Sequence, residues 1–496
     1  MISVTRPGGR LRLIAGVAAL GVAVSGLILG GPVDSEAAAS TQCSSTPFRS
    51  SPSKHRWFRI PAVIRTDAGT LVAFAERRDT NDGTDMGNYD IVTTRSTDRG
   101  CTWSAYQVIG NDAANRVSNP VPIVDATTGS VLLFSVVTVR PGSGGAGKGL
   151  YLQTSSDDGR TFSALLSHPV RPDGSYKGGL TGPGHGLQLT VTHPGRLILP
   201  LGYKTTSGRY GAYGIYSDDH GLTWHTGFDQ QDTTGKVQFL EGTLAELPSG
   251  DLFISFRDKH PGAKAGAARQ YAISKDGGTS LNGPFRRLSL NVVSVQGSAL
   301  ALTGTHRNEL LFSAPADPTL TLRRDMTIFV SSTGGSSWGK KYQVELESRP
   351  GSYSDLVQLD DTSVGILYET GTVTWKERIA YRSIAVPALT HPVLVASRVS
   401  YSRSTRPTTS SGRAKIMTTV TVKGITSPPG RVTLTYVGNG TTRTASVKLT
   451  YSNRGVRAIT LPKLKTGKYR LTLTYSGTGR IAKATRSAGT LTVVKP

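Results

Sequence analysis

The stretch STDRGCTW, from Ser96 through Asp98, Gly100 and Thr102 to Trp103, returns four times along the chain in altered form. Ser155, Asp157, Gly159, Thr161 and Phe162 repeat it, as do Ser217, Asp219, Gly221, Thr223 and Trp224. Weaker copies stand at Ser274, Asp276, Gly278 and at Ser331, Gly335, Trp338, where Thr333 replaces the Asp. Their starts lie 59, 62, 57 and 57 residues apart, the regularity of a repeated supersecondary unit. Each copy has turn chemistry: Ser and Asp side chains bond backbone amides, Gly supplies positive φ, and the aromatic packs on the flanking strands. The motif therefore marks a fold and carries no catalytic information.

Upstream of the first copy, Trp57, Phe58, Arg59, Ile60 and Pro61 open a mostly apolar run from Ala62 to Ala75, which reads as two strands around a turn from Thr66 to Gly69. Glu76, Arg77 and Arg78 follow, then a polar, Gly-containing loop holding Asp79, Asp82, Asp85 and Asp90. Arg59 would enter the first strand at its start with the loop acids nearby. A guanidinium fork is always charged and fits a carboxylate, so the segment outlines a site for an acidic small molecule. Taken alone, an Arg beside an apolar strand is more often a solvated edge residue. From about Thr41 to Leu394, alternation, Gly and turn signals run almost throughout without a convincing amphipathic helix. A repeat of roughly 60 residues divides this region into six units of four short strands, the blade of a propeller.

The repeated turns match the Asp box of sialidases, and Phe58 to Pro61 matches the family's aromatic-Arg-Ile-Pro signature, so the chain resembles a secreted bacterial exo-α-sialidase. The resemblance also implies six blades. An exo-sialidase must hold the carboxylate of a terminal sialic acid, protonate the leaving oxygen and stabilise an oxocarbenium-like centre. For the first task the resemblance implies three arginines. Arg59 matches the first, and Arg257 the second, since Glu241, Glu246 and Arg257 reproduce the family's spacing of an acid, a second acid and a strand-end Arg. Arg323 matches the third, with Arg324 open as the alternative. Tyr353 lies in a segment like the family's nucleophile stretch, with Glu241 as its base. The residue type has a physical reason: the anomeric carbon bears a carboxylate that repels an anion, whereas a phenol is neutral until a base takes its proton. Sialidases thus depart from the two-carboxylate scheme of most glycosidases.

Asp85, five residues before Asp90, fits the family's catalytic acid/base, with Asp79 and Asp82 as competitors. As an acid it must be protonated with substrate bound, so burial is expected to raise its pKa. Arg78 matches the residue that reaches a ring hydroxyl, Asn119 lies where the family lines an N-acyl pocket, and His185 is expected at the rim or in a structural role. The nine His form no pairing with acids that reads as a metal site, and no phosphate loop or dinucleotide fingerprint occurs, so no cofactor is expected.

At the start, Arg6, Arg10 and Arg12 precede an apolar run from Leu13 to Gly31 and small residues near Ala37 to Ser40, the pattern of a secretory signal. No other stretch is apolar enough to span a bilayer. The two cysteines, Cys43 and Cys101, could pair in an exported chain or stay free. At the other end, residues 397–496 hold 19 Lys plus Arg and no Asp or Glu, which supplies most of the formal +24. Alternating runs there read as strands of a small immunoglobulin-like β-sandwich. Its charge invites an anionic cell-surface polymer, while a soluble spacer is the plainer reading; the few aromatics argue against sequence-reading of nucleic acid.

The expectation is therefore an all-β chain with a signal peptide at 1–39, a six-bladed propeller at 40–396 and a basic β-sandwich at 397–496. Its function would be that of a secreted, monomeric, retaining exo-α-sialidase acting on sialylated glycans. A trans-sialidase keeping the same residues and a non-catalytic sialoglycan-binding propeller are the alternatives. A pure binder would have little use for Asp85, Glu241 and Tyr353 together.

Overall fold

The repeated turns build the architecture. In the computed structural model, which describes residues 42–496 apart from 86, 114, 140–148, 166–167, 174–176, 261–267, 392–393 and 404–407, Ser96 Oγ accepts the Gly100 N–H at 2.8 Å and Asp98 Oδ1 accepts the Thr102 N–H at 2.9 Å. The same pair of bonds closes the turns at Ser155 and Ser217, and Asp276 serves Ser280 in the fourth. In the fifth, Thr333 Oγ1 accepts the Ser337 N–H at 2.9 Å, so a hydroxyl takes over part of the missing carboxylate's work.

Each turn joins the third and fourth strands of an antiparallel sheet. The first sheet runs Arg56–Arg65, Leu71–Asp79, Asn88–Ser96, Gln107–Gly110, with the expected turn between its first two strands. Sheets of the same up-and-down order follow at 115–169, 180–231, 239–287 and 298–343. The sixth pairs Gly351–Asp360, Ser363–Thr370 and Arg378–Ala385 with the strand Ser44–Arg49 from the other end of the region. No turn links its last two strands, which is why five boxes serve six sheets.

The glycine of each box lies against the preceding sheet. A methyl group on Gly100 would meet the Tyr381 ring at 2.0 Å, and one on Gly159 would meet Val72 at 2.9 Å. Gly221 faces Leu132, Gly278 faces Ile198 and Gly335 faces Phe253 in the same way. A shared core of Leu311, Ile328, Leu356 and Ile366 joins the fifth sheet to the sixth, so the sheets form a closed cycle. This all-β arrangement is consistent with the expected propeller. A disulfide between Cys43 and Cys101 fastens the outer strand of the sixth sheet to the first box, which answers the question the sequence left open.

Residues 397–494 form a three-stranded and a five-stranded sheet around a separate core that includes Ile416, Val432, Leu434, Leu471 and Leu473. The expected alternation is visible in Lys415–Val422 and Gly467–Tyr475, where every second side chain is buried. This unit is docked on the fifth sheet's last segment: Thr426 N–H donates to Glu347 Oε1 at 2.7 Å, and Arg480 donates to the carbonyls of Gln343 and Val344 at 3.0 and 2.9 Å. The leader expected at 1–39 lies outside the described residues.

Candidate functional site

The first strands of the sheets face one another about the centre; Arg56–Arg65, for example, touches both Asn115–Asp125 and Gly351–Asp360. Four of these strands carry a bulge at a candidate residue. Their register with the second strand slips between Arg59 and Ala62, Ser118 and Val121, Phe239 and Gly242, and Gly351 and Ser354. A bulge bends the strand and re-aims a side chain, here towards the centre. In the first two a Pro follows, and Ile60 and Asn119 take φ of 57° and 54°. Asn tolerates that region, whereas a β-branched Ile there costs about 1–3 kcal/mol. Its N–H donates to Glu369 Oε1 at 2.9 Å, and its side chain packs with Val293, Val295 and Tyr353.

Tyr353, only 7% exposed, donates its hydroxyl to Glu241 Oε1. Arg257 Nη1 donates to Glu241 Oε2 at 2.9 Å and to the Tyr353 hydroxyl oxygen at 3.3 Å. The Arg59 and Arg323 guanidinium carbons lie 5.6 and 6.0 Å from the Tyr353 ring centre, so three cations surround one phenol. Burial, reinforced by Glu241, pushes the phenol well above its usual range, and it is neutral. Burial alone would lower the Arg257 pKa, but Glu241 leaves it raised; burial lowers that of Arg323, whose Nη1 donates to Ser352 Oγ at 3.3 Å. Arg324 points elsewhere, to Asp317 at 2.6 Å.

A second group lies beside the first. Arg78 Nε donates to Glu76 Oε2 at 2.8 Å, and its Nη1 donates to Asp85 Oδ1 at 2.6 Å, while its guanidinium stacks over Tyr89. The Asp85 side chain is 84% exposed on the loop between Asp79 and Asn88. That loop is seated on Trp57: the indole N–H donates to Thr80 O at 2.9 Å, and Gly83, at φ 67°, leaves no room for a methyl group against the ring. The expectation that burial raises the Asp85 pKa is corrected for the empty site. What burial there is does raise it, but the Arg78 charge and hydrogen bond outweigh that and hold the carboxyl below its ordinary value. The competitors are otherwise engaged: Asp79 lies 3.4 Å from Arg77, and Asp82 caps the Thr84 N–H at 3.1 Å.

Asn119 joins this group through its backbone, donating its N–H to Glu76 Oε1 at 2.9 Å, while its side-chain Nδ2 donates to Thr181 O at 3.1 Å. Glu246 is turned away from Glu241 and accepts the N–H groups of Thr190, Val191 and Thr192. Of the two roles expected for His185, its contacts fit the structural one. Its Nδ1 lies 2.8 Å from Asp355 Oδ1, a fully buried acid that also accepts the Val63 N–H and the Ser298 hydroxyl, both at 2.8 Å. Among the described residues no group of three or more His, Cys, Asp or Glu is placed to hold a metal ion.

Sequence reasoning missed three parts of the site. Glu369, fully buried, accepts from Arg59 Nε at 2.6 Å and from the Tyr353 N–H at 3.2 Å, tying the first arginine to the phenol's backbone. Trp375 lies with its ring centre 4.2 Å from the Arg59 guanidinium carbon and 4.9 Å from that of Arg323. Arg269, buried behind Arg257, donates to the carbonyls of Ser255 and Val295. The only available signal was compositional: a Glu closing the apolar run Ser363–Thr370 and an Arg opening the strand Arg269–Ser274. Chemically, the arrangement pairs a phenol with a base, adds three cations for one carboxylate, and places an acid on an exposed loop.

Comparison with known proteins gives a match to the BNR repeat-like domain over residues 69–366. A sialidase of Micromonospora viridifaciens is 34% identical over 341 residues, covering 64% of this chain and 50% of that protein. A sialidase of Bacteroides fragilis (strain YCH46) is 30% identical, covering 63% of this chain and 60% of the relative. The chain thus spans about half the length of the first relative and somewhat more of the second. Among solved structures, the Hadza microbial sialidase Hz136 aligns with a TM-score of 0.57 at 26% identity, covering 69% of this chain and 68% of that one.

Proposed function

Since the chain belongs to the family of BNR repeat-like domains, we propose that it is a retaining exo-α-sialidase that releases terminal sialic acids from glycans. The observation that carries the reading is the buried Tyr353 hydroxyl, bonded to Glu241 and ringed by Arg59, Arg257 and Arg323. The arginines clamp the substrate carboxylate. Glu241 takes the phenol's proton as Tyr353 attacks the anomeric carbon, and Asp85 protonates the leaving oxygen, then activates water on the glycosyl-enzyme. Arg78 keeps Asp85 ionised while the site is empty, as the water-activating half of the cycle requires, and a bound glycan must displace or desolvate that contact to load the proton.

The six sheets are read as six blades spanning about 40–396 and the C-terminal pair of sheets as an immunoglobulin-like appendage. The disulfide supports export, since such bonds persist in oxidising compartments. The test is turnover of an aryl α-sialoside by the full chain and by Tyr353→Phe. Wild-type turnover with a loss of at least about 10³-fold in the variant supports the reading. A folded wild type that binds sialic acid without turnover removes it in favour of a sialoglycan-binding propeller. Product analysis then separates release of free sialic acid from transfer to an acceptor.

A further inference from the structure

Where the C-terminal sandwich meets the propeller, the two enclose a groove of about 740 Å³, within the roughly 300–1,000 Å³ of ligand sites. Arg323 and Trp375 line it, and both belong to the cluster around Tyr353. The groove is therefore continuous with the arginine clamp. From the sandwich, Arg431 and Lys448 line it on neighbouring strands, directly paired in register.

Three features point to an occupant. First, Arg431 and Lys448 form no ion pair among the described residues; Arg431 Nη1 donates only to Ser446 Oγ, at 2.9 Å. Of the other basic lining residues, Arg324 and Arg349 pair with Asp317 and Glu347, whereas Arg323, like the two sandwich cations, forms no ion pair among the described residues; the lining's one acid is Asp325, whose carboxyl burial pushes up. Second, the propeller lip carries large apolar side chains in water, Val373 at 86% and Leu322 at 52% exposure, beside the Trp375 ring. Apolar and aromatic surface next to unpaired cations suits a sugar's apolar face followed by an acidic group. Third, Trp375 lies against both Arg59 and Arg323 and also lines the groove, so it stands at the junction of the two.

We propose that this groove is an extended aglycone subsite, completed by the C-terminal sandwich, for an acidic oligosaccharide bearing a second anionic group internal to the terminal sialic acid. The inference rests on the sialidase reading above. It gives the basic sandwich a role in choosing substrate, in place of holding an anionic wall polymer.

The test compares the full chain with Arg431→Ala/Lys448→Ala, both exposed strand positions whose loss leaves the core intact. The substrates are an α2,8-linked disialyl oligosaccharide, a singly sialylated lactose and an aryl α-sialoside. The expected result is a roughly tenfold or greater fall in kcat/KM, through KM, for the disialyl substrate, weakening with added salt, while the other two are unchanged. Equal kinetics for variant and wild type on the disialyl substrate, or an equal loss on all three, overturns the proposal. A readout independent of turnover is calorimetric binding of an α2,8-linked sialic acid tetramer to Tyr353→Phe with and without the double change. Tenfold weaker binding supports the subsite and unchanged binding removes it. A wild type that cleaves none of the three overturns the sialidase reading itself, whereas cleavage of all three without the variant effect overturns only the groove.

Discussion

Asp85 and Tyr353 show how much of a site one residue's surroundings decide. Asp85 sits in water with Arg78 as its partner and its carboxyl is held below the ordinary range, whereas Tyr353 is buried and donates its hydroxyl to Glu241. Asp85→Ala is accordingly expected to lower kcat/KM on natural sialosides by about 10²–10⁴-fold, and far less on aryl sialosides whose leaving group needs no proton. Steady-state kinetics on both substrate types decides it; equal losses would remove Asp85 as the acid. Arg59 and the box residues were legible because they sit in short local patterns. Glu369 was not, because its meaning lies in Arg59, 310 residues away, and nothing local separates it from a solvated strand-end acid. The same holds for Trp375, whose partners are the guanidinium groups of two other sheets. The choice between Arg323 and Arg324 turned on the direction of two adjacent side chains, which spacing alone does not carry.

At the scale of the element, four of the six sheets have an outer turn set by Ser and Asp, and four have an inner strand bent at a bulge. The period of the boxes announced the sheets. The bulges were hidden, since a slip of register leaves no mark on composition beyond Pro61 and Pro120. The fifth box offers a test of the turn chemistry. In the fourth, Asp276 takes both the N–H and the hydroxyl of Ser280, at 2.9 and 2.6 Å, whereas Thr333 offers Ser337 a single oxygen. Thr333→Asp is expected to stabilise the chain by about 1 kcal/mol, read as a rise in melting temperature. A fall would mean that the hydroxyl is already the better partner there.

For the whole molecule, the centre and the seam join segments far apart in the chain. His185 and Asp355 tie the third sheet to the sixth, and Asp355 also holds Val63 of the first and Ser298 of the fifth. Burial disfavours the imidazolium, but Asp355 outweighs it and leaves the His185 pKa raised. The stabilisation is therefore complete below the ordinary histidine value and is lost as pH rises through the raised one. Melting temperature should decline on that alkaline side, and His185→Gln should flatten the decline; an unchanged slope would discard the link. At the seam, the Cys43–Cys101 bond closes 58 residues, so Cys43→Ser/Cys101→Ser should cost up to about 4 kcal/mol in denaturant titrations. The sixth sheet has a further consequence, in time. Its outer strand leaves the ribosome early, yet Cys43 bonds with Ser383, 340 residues later, and Tyr353, Glu369 and Trp375 all arrive with that late partner. The ring therefore closes only when the first strand finds the last, and Arg59 meets Glu369 only at that point.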